Sequence, residues 1–479
     1  MSIRKYTITN ILGSIIPIAV TLVTVPLYLD ILGDVRYGVL TLVWLIMGYF
    51  GFLEMGLGKA TANHISKLPV SSIKERGIVF WNAIYVNVFF GLVAALILWS
   101  VGTYLLTNVL KIPNDYQTEA IATLPWLALT LPLALVSSVL VGALEGCNRF
   151  FAVNLLQVIN SIIFQIAPLL VGYYFSPSLA YIIPTAVVVR ASMNVPFFIA
   201  CFKFVPLTRR FSLSWDAVRS LLSFGGWVAV TGLIAPLLET IDRLIIGAVI
   251  GAQAVTYYTL PYQLVTKIRI IPASLSRSLF PQFSADNPVE ADKKAFTSLC
   301  SLLIVMTPII VFGIILLKPF MNFWIGKELS IIASPLGEIL LLGVWINSLA
   351  YIPYSLLQGK GRPEIVAKLQ IALIVPFLLM LFLSIKIGGE YGAACVWSVR
   401  IIIDAIFLFR FSGILRKRKI NFIIPGLIVF TVFLCIHVIP ELELISRFVI
   451  LIVSGVALGG WLTQIHRSDI MRLIRKTRQ

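Results

Sequence analysis

The sequence predicts an all-α polytopic membrane protein with about fourteen transmembrane helices. Three observations predict this fold class. Hydrophobic residues make up 59% of the chain, charged residues make up only 12%, and the mean hydropathy is +0.96. A soluble domain carries about twice that share of charge, so this chain could not cover a water-exposed surface. Apolar runs of about 20 residues, long enough to cross the hydrocarbon core as a helix, recur along the whole sequence.

Polar breaks between the apolar runs place these spans in order. The first span follows the segment MSIRKY, which has no small-residue cleavage signature, so we expect it to be a retained helix and not a removed signal peptide. The polar stretches between spans are too short to fold as a soluble domain. The predicted spans cover roughly residues 8–29, 38–57, 78–106, 121–143, 153–175, 179–202, 221–250, 252–283, 297–320, 335–357, 366–386, 390–410, 421–439 and 447–464.

The placement of Lys and Arg predicts the orientation of the chain. With the N-terminus in the cytoplasm, 27 of the 38 basic residues fall in cytoplasmic segments and only 6 on the opposite side. Cytoplasmic loops of membrane proteins carry such an excess. We therefore expect both termini in the cytoplasm.

The net charge of +17 is distributed over these short basic clusters between the spans, so we do not expect nucleic-acid binding.

Two short motifs recur at nearly the same offset. The segment Leu32–Gly38 resembles Ile250–Thr256 at an offset of 218 residues, and Leu144–Arg149 resembles Leu357–Arg362 at an offset of 213. Chance recurrence of Gly-rich turns is one explanation. The other is two six-helix bundles related by pseudo-symmetry plus a C-terminal helix pair. This second interpretation divides the chain into a first bundle at 1–215, a second bundle at 216–415, and an additional two-helix pair with a cytoplasmic tail at 416–479.

Charged residues inside the spans are the candidates for function. A charge at the bilayer centre costs about 2.5–3.5 kcal/mol and needs a partner or a wet cavity. Lys267 and Arg269 lie near the middle of the eighth span with no acid within four residues, and Arg190 in the sixth span also lacks a nearby acid. We expect these side chains to form a cationic, substrate-binding cavity. The alternative is that each packs against a distant acid.

A second charged group has two interpretations. Glu239 and Arg243 are four residues apart in the seventh span and share a helix face, so they are candidates for a structural ion pair. The other interpretation is functional, with Arg243 joining the cationic cavity and with Glu239 and Asp242 as coupling acids. Glu54 at the end of the second span is a further candidate, either as a coupling acid or as an interfacial residue.

Motifs for catalysis are missing from the sequence. There is no DxD, GxSxG, HExxH or phosphate-binding GxxxxGK[ST], and the five cysteines show no CxxC spacing. We therefore expect no enzymatic activity, no metal and no cofactor. Any energy coupling is expected to use a proton or sodium gradient instead of ATP.

Several segments together resemble a known family. Tyr28–Gly38, Leu53–Gly58, Ile241–Gly247 and Leu357–Arg362 resemble Wzx-type polysaccharide flippases, which export O-antigen repeat units. Their superfamily also contains lipid II flippases and multidrug and toxin extruders. The resemblance covers nearly the whole chain.

The resemblance implies a function and a location. It implies two six-helix bundles in a bacterial inner membrane that work by alternating access. The implied cargo is an undecaprenyl-pyrophosphate-linked oligosaccharide, moved from the cytoplasmic to the periplasmic leaflet for lipopolysaccharide, capsule or exopolysaccharide synthesis. The last two helices are implied to form a groove for the lipid tail. Expected partners are the lipid-linked oligosaccharide, membrane lipids, the polysaccharide polymerase and the chain-length machinery.

Two other functions stay open. A multidrug/cation antiporter of the same superfamily would need a cavity rich in acids, whereas lone bases outnumber lone acids inside these spans. A membrane glycosyltransferase or polymerase would need a large periplasmic loop with polar catalytic residues, which this chain lacks.

Overall fold

The computed structural model describes most of the chain as helix. It describes residues 3–50, 56–69, 71–205, 214–215, 218–219, 221, 237–285, 287–415, 422–438 and 444–465. No β-strand occurs among these residues. The helices are α1 Ile3–Phe50, α2 Leu57–Lys67, α3 Ile73–Tyr104, α4 Asn114–Ala122, α5 Leu124–Gly146, α6 Phe150–Tyr174, α7 Leu179–Phe204, α8 237–249, α9 Ala252–Thr266, α10 Ile270–Ala285, α11 Pro288–Ile325, α12 Lys327–Gly359, α13 Pro363–Ser412, α14 Ile423–Val438 and α15 Leu444–Ile465.

Within the described ranges, the predicted spans fall on helical residues. Eight helices are long and apolar enough to cross a membrane, and α14 and α15 contain shorter apolar stretches. Two of the eight cover two predicted spans each, because the backbone bends sharply at Gly33 in α1 (φ 71°) and at Gly389 in α13 (φ 58°). Glycine adopts positive φ without the steric penalty of a side chain. The chain is therefore a multi-pass membrane protein, as its composition predicts.

The chain divides into two compact units, Met1–Thr256 and Tyr257–Gln479. These units are defined by contacts within the described structure. The predicted division at residues 215 and 415 rests on the sequence repeat and stays a prediction.

Helix α5 is the centre of the first unit. It packs against α2, α3 and α7, while α6 packs against both α1 and α7. Phe80, Leu140, Leu144 and Cys201 form part of a continuous buried cluster between these helices. Where α5 meets α2, a side chain at Gly142 would collide with the backbone carbonyl of Gly58. Small residues permit such close helix packing in membranes, where burial of apolar surface provides little driving force.

Helix α12 has the same place in the second unit. It packs against α10, α11 and α13, and the C-terminal helices α14 and α15 pack against α11 and against each other. The turns that end α5 and α12 are also the same. Arg149 N–H donates to the carbonyl oxygen of Leu144 and, 213 residues later, Arg362 N–H donates to that of Leu357, both at 2.9 Å.

The residue before the arginine has positive φ in both turns, 57° at Asn148 and 71° at Gly361. A six-to-one hydrogen bond closed by a left-handed residue is the Schellman ending of a helix. The repeat at offset 213 is therefore present in the sequence, in the backbone geometry of the two turns and in the order in which the helices pack. The symmetry relation between the two predicted bundles stays a prediction.

Candidate functional site

Arg190 lies on the interior face of α7. The exposed apolar side chains Tyr181, Val188, Val195 and Ile199 follow one side of this helix. At 100° per residue, Arg190 projects about 180° away from that side. It is half-buried, and no carboxylate of a described residue forms an ion pair with it. Arg190 is therefore a cation that faces away from lipid and has no neutralising partner among the described residues.

The predicted pair Lys267 and Arg269 lies at a break between two helices. Lys267–Arg269 forms a single 3-10 turn that joins α9 to α10. Lys267 is exposed and Arg269 is half-buried. The charged group that acts most on Lys267 is its neighbour Arg269, and no described carboxylate pairs with Lys267. A short 3-10 turn inside a longer helical segment is a common position for a hinge.

Lys267 begins an exposed polar stripe along α10. The stripe continues through Ser274, Arg277 and Ser278, which project from the same side of the helix. The opposite side is buried against α12 and includes Phe283. On a helix that crosses the membrane, as the sequence predicts for residues 252–283, such polar side chains face the bundle interior or a wet cavity. Sequence reasoning missed this stripe, although the spacing of the serines at positions 274 and 278 was a visible signal.

The charged group on α8 is packed inside the first unit. Asp242 is fully buried and Arg243 is 7% exposed. Arg243 Nε lies 3.8 Å from Asp242 Oδ1, and its Nη2 donates to the backbone carbonyl oxygen of Glu239 at 3.1 Å. This geometry favours the ion-pair interpretation, with Asp242 as the acid. Glu54, the remaining candidate, lies outside the described residues.

A further cluster of charged and titratable side chains connects α14 and α15 with other helices of the second unit. Glu338 on α12 is 3% exposed, and its Oε2 lies 3.5 Å from His437 Nδ1 on α14. Arg447 on α15 is 6% exposed and donates to the carbonyl oxygen of Ile315 at 2.8 Å. Arg447 and Lys318 both act electrostatically on Glu338. Sequence reasoning missed this cluster because its members lie far apart along the chain.

An apolar groove opens in the second unit with a volume of about 710 Å³. Residues of α12, of the C-terminal part of α13 and of α14 line it, including Trp345, Ile402, Phe409 and Gly426. The basic side chain among the lining residues is that of Arg410. The lining can hold a hydrocarbon chain, and Arg410 can pair with an anion.

These features define a class of protein. Long apolar helices span the membrane, cations project from faces that do not meet lipid, and an apolar groove carries a basic residue. Intramembrane cations of this kind mark substrate pathways. The arrangement is that of a transporter for a molecule with an anionic part and an apolar part.

Comparison with known proteins gives the family. The family model described as "Polysaccharide biosynthesis protein" matches residues 3–285, more than half of the chain. The chain belongs to this family. It is 28% identical over 422 residues to a Shigella flexneri protein named "Putative O-antigen transporter", covering 85% of this chain and 97% of that protein. It is also 25% identical over 186 residues to the teichuronic acid biosynthesis protein TuaB of Bacillus subtilis, covering 38% of each chain.

Solved structures share the fold. The lipid II flippase MurJ in an inward closed conformation matches with a TM-score of 0.71 and 15% identity, covering 97% of this chain and 99% of that one. An inward-facing multidrug transporter of the MATE family matches with a TM-score of 0.69 and 14% identity, covering 85% of this chain and 100% of that one. The predicted all-α polytopic fold is confirmed, and the family model and the relative named for O-antigen transport confirm the resemblance to polysaccharide flippases.

Proposed function

We propose that the protein is a flippase that moves an undecaprenyl-pyrophosphate-linked oligosaccharide from the cytoplasmic to the periplasmic leaflet of a bacterial inner membrane. Membership of a polysaccharide biosynthesis family and similarity to a protein named for O-antigen transport support this cargo. The observation that carries the proposal is two cations that no described carboxylate neutralises: Arg190, on a helix apolar enough to cross the membrane, and Lys267, in the eighth span that the sequence predicts.

These cations fit a diphosphate headgroup. A free pyrophosphate cannot cross the hydrocarbon core, because no water is present there to solvate its charge. A guanidinium binds phosphate oxygens through two parallel hydrogen bonds, and an ammonium binds them as a compact point charge. Arg190 in the first unit and Lys267 in the second would each offer such a contact in place of water during the passage of the headgroup. The exposed hydroxyls of Ser274 and Ser278 add polar contacts along α10.

The apolar groove fits the other end of the cargo. An isoprenoid tail remains in an apolar environment while the headgroup crosses, so it needs a slot that opens to lipid. The groove of about 710 Å³ beside α14 has this character, in agreement with the tail-binding role that the resemblance implies for the C-terminal helices. Arg410 at the groove would pair with an anionic group close to the tail.

Several features of the proposal follow from the sequence and the family. The proposal includes transport by alternating access, both termini in the cytoplasm, coupling to a proton or sodium gradient, and cooperation with a polymerase and chain-length machinery.

The buried acids do not favour export of a cation, the alternative in the same superfamily. Asp242 lies beside Arg243, and Glu338 lies among His437, Arg447 and Lys318.

Complementation tests the proposal. Deletion of the gene in its host should abolish surface polysaccharide and cause lipid-linked oligosaccharide to accumulate. The wild-type gene should restore the polysaccharide, whereas the double variant Arg190→Ala/Lys267→Ala should not, at an equal protein level in the membrane. The matched control is Lys293→Ala, an exposed lysine at the start of α11, which should complement fully. Normal polysaccharide with the double variant would refute the cationic site.

A further inference from the structure

Polar side chains form a column on one face of α6, an otherwise apolar helix. At 100° per residue they fall within about 140° of the helix circumference. The rest of the circumference carries apolar residues and glycine, except for two tyrosines at the end of the helix. The polar residues are Asn154, Gln157, Asn160, Ser161 and Gln165.

The column lies opposite the lipid-facing side of α6. The exposed apolar residues Leu155, Ile159, Ile166 and Leu170 follow one side of the helix. The centre of that side is about 180° from Gln157, which is itself exposed. A polar side chain in a membrane helix faces the interior of the bundle or a wet cavity. Gln157 therefore reaches water on the protein side of α6.

The architecture itself does not require these amides. The offset of 213 residues places the first part of α13 in the position that α6 has in the first unit, and Pro363 begins α13 as Phe150 begins α6. This second helix keeps one amide, Gln370. The other positions of the column correspond to Ala367, Leu373, Ile374 and Leu378. Since the repeat has apolar residues at four of these five positions in its second copy, the amides of α6 are not a requirement of the repeat itself.

One member of the column is already used for packing. Thr24 Oγ1 donates to Gln165 Oε1 at 2.8 Å, and the Tyr28 hydroxyl donates to the Gln165 backbone carbonyl at 2.9 Å. These bonds hold α6 against α1. Asn160 Oδ1, in contrast, is buried with no hydrogen-bond partner among the described residues. A buried acceptor without a partner is costly, so a hydrogen bond from a bound molecule would stabilise this group.

Aromatic rings adjoin the column at the same depth. Phe164 lies one turn after Asn160, and its ring centroid is 5.1 Å from that of Trp44. Arg190 lies about 16 Å from the start of α7, and residue 163 lies about 16 Å from the end of the adjacent α6. The two residues are therefore at a similar depth. Amides, aromatic rings and a cation are thus grouped at one depth within the first unit.

We propose that Gln157, Asn160 and Ser161 form the contact surface for the sugar of the lipid-linked cargo, an inference that rests on the proposed function. A carboxamide offers both a donor and an acceptor, and a hydroxyl offers the same, so these side chains match the hydroxyl groups of a glycan without adding charge. The aromatic pair Phe164 and Trp44 supplies an apolar surface for the face of a sugar ring. Arg190 would bind the phosphate that is next to the sugar.

Equilibrium binding to the full-length protein in lipid nanodiscs tests this surface with two probes. One probe is undecaprenyl pyrophosphate without sugar, and the other is the lipid-linked oligosaccharide extracted from the deletion strain. The wild type should bind the sugar-bearing lipid more tightly. Gln157→Leu and Asn160→Leu should each weaken binding of that lipid about fivefold to tenfold, as expected for one lost hydrogen bond, and leave binding of the bare lipid within about twofold.

Controls separate the possible failures. Ile159→Ala, on the lipid-facing side of the same helix, should leave both affinities unchanged, whereas Arg190→Ala should weaken both. Thermal unfolding of each variant checks its fold. If Gln157→Leu unfolds early, Gln157→Met replaces it. Equal wild-type affinity for the two lipids, or unchanged discrimination in the leucine variants, would overturn the glycan surface alone. A wild type that binds neither lipid saturably would refute the proposed flippase function and this inference with it.

Discussion

Arg447 is expected to stabilise the C-terminal helices through its buried contacts. Its guanidinium donates to the carbonyl oxygen of Ile315 at 2.8 Å and is one of two cations that act on the buried Glu338. Arg447→Met keeps a long apolar side chain but removes both interactions. A hydrogen bond from a charged donor contributes about 1.5–3 kcal/mol. We therefore expect the variant to lose about 1.5–3 kcal/mol of unfolding free energy through the lost bond to Ile315.

A double-mutant cycle separates the charge effect from packing. The assay is denaturant unfolding in detergent, followed by tryptophan fluorescence, for Arg447→Met, Glu338→Leu and the double variant. The double variant should lose less than the sum of the single losses, because it leaves no buried carboxylate without its cation; the coupling should be about 1–3 kcal/mol. Lys386→Met removes an exposed cation of the same helical unit and should change stability by no more than about 0.5 kcal/mol. If the loss of unfolding free energy in the double variant equalled the sum of the two single losses, Arg447 would not compensate the charge of Glu338.

Three further predictions concern topology, chemistry and the groove. A fluorescent reporter fused after Gln479 should fluoresce and a phosphatase fused there should be inactive, because the positive-inside pattern places this end in the cytoplasm; the reverse result would refute the orientation. Burial raises the pKa of the Cys147 thiol despite the opposing effect of Arg76, so maleimide labelling of a single-cysteine variant should be slow at neutral pH and increase as the pH rises; fast labelling at pH 7 would contradict the described burial. Gly426→Phe should fill the groove and lower polysaccharide export at an unchanged protein level, whereas Gly455→Phe, with open space around it, should not; equal export by both variants would argue against a tail in the groove.

Hydropathy predicted the helices well because it is a local property. Each apolar run has to form a helix to satisfy its backbone hydrogen bonds in lipid, so composition over about 20 residues is enough to identify a span. The sharp bends at Gly33 and Gly389 fall between predicted spans for the same reason. Arg190 and Lys267 were found because a charge inside an apolar run is conspicuous without knowledge of the tertiary structure.

The features that sequence reasoning missed depend on distant residues or on direction. Glu338 and His437 are 99 residues apart, and only the packing of α14 on α12 brings them together. The polar column of α6, from Asn154 to Gln165, was visible in the sequence as polar residues mostly three or four positions apart. Its meaning, however, required the structure to show which side of α6 meets lipid. A lone charge is informative by its presence, whereas an amide is informative only through the direction in which it points.

The two units share a packing order but carry different chemistry, and this difference supports a division of tasks. In the first unit, α6 carries amides and α7 carries Arg190, while the equivalent part of α13 in the second unit is almost free of amides. The second unit carries the apolar groove, together with the C-terminal helix α14 that helps to form its wall. A lipid-linked glycan has a polar end and an apolar end that need different surroundings throughout the crossing. A repeat that served only to build a scaffold would have no reason to place a column of amides in one copy and a hydrocarbon slot in the other.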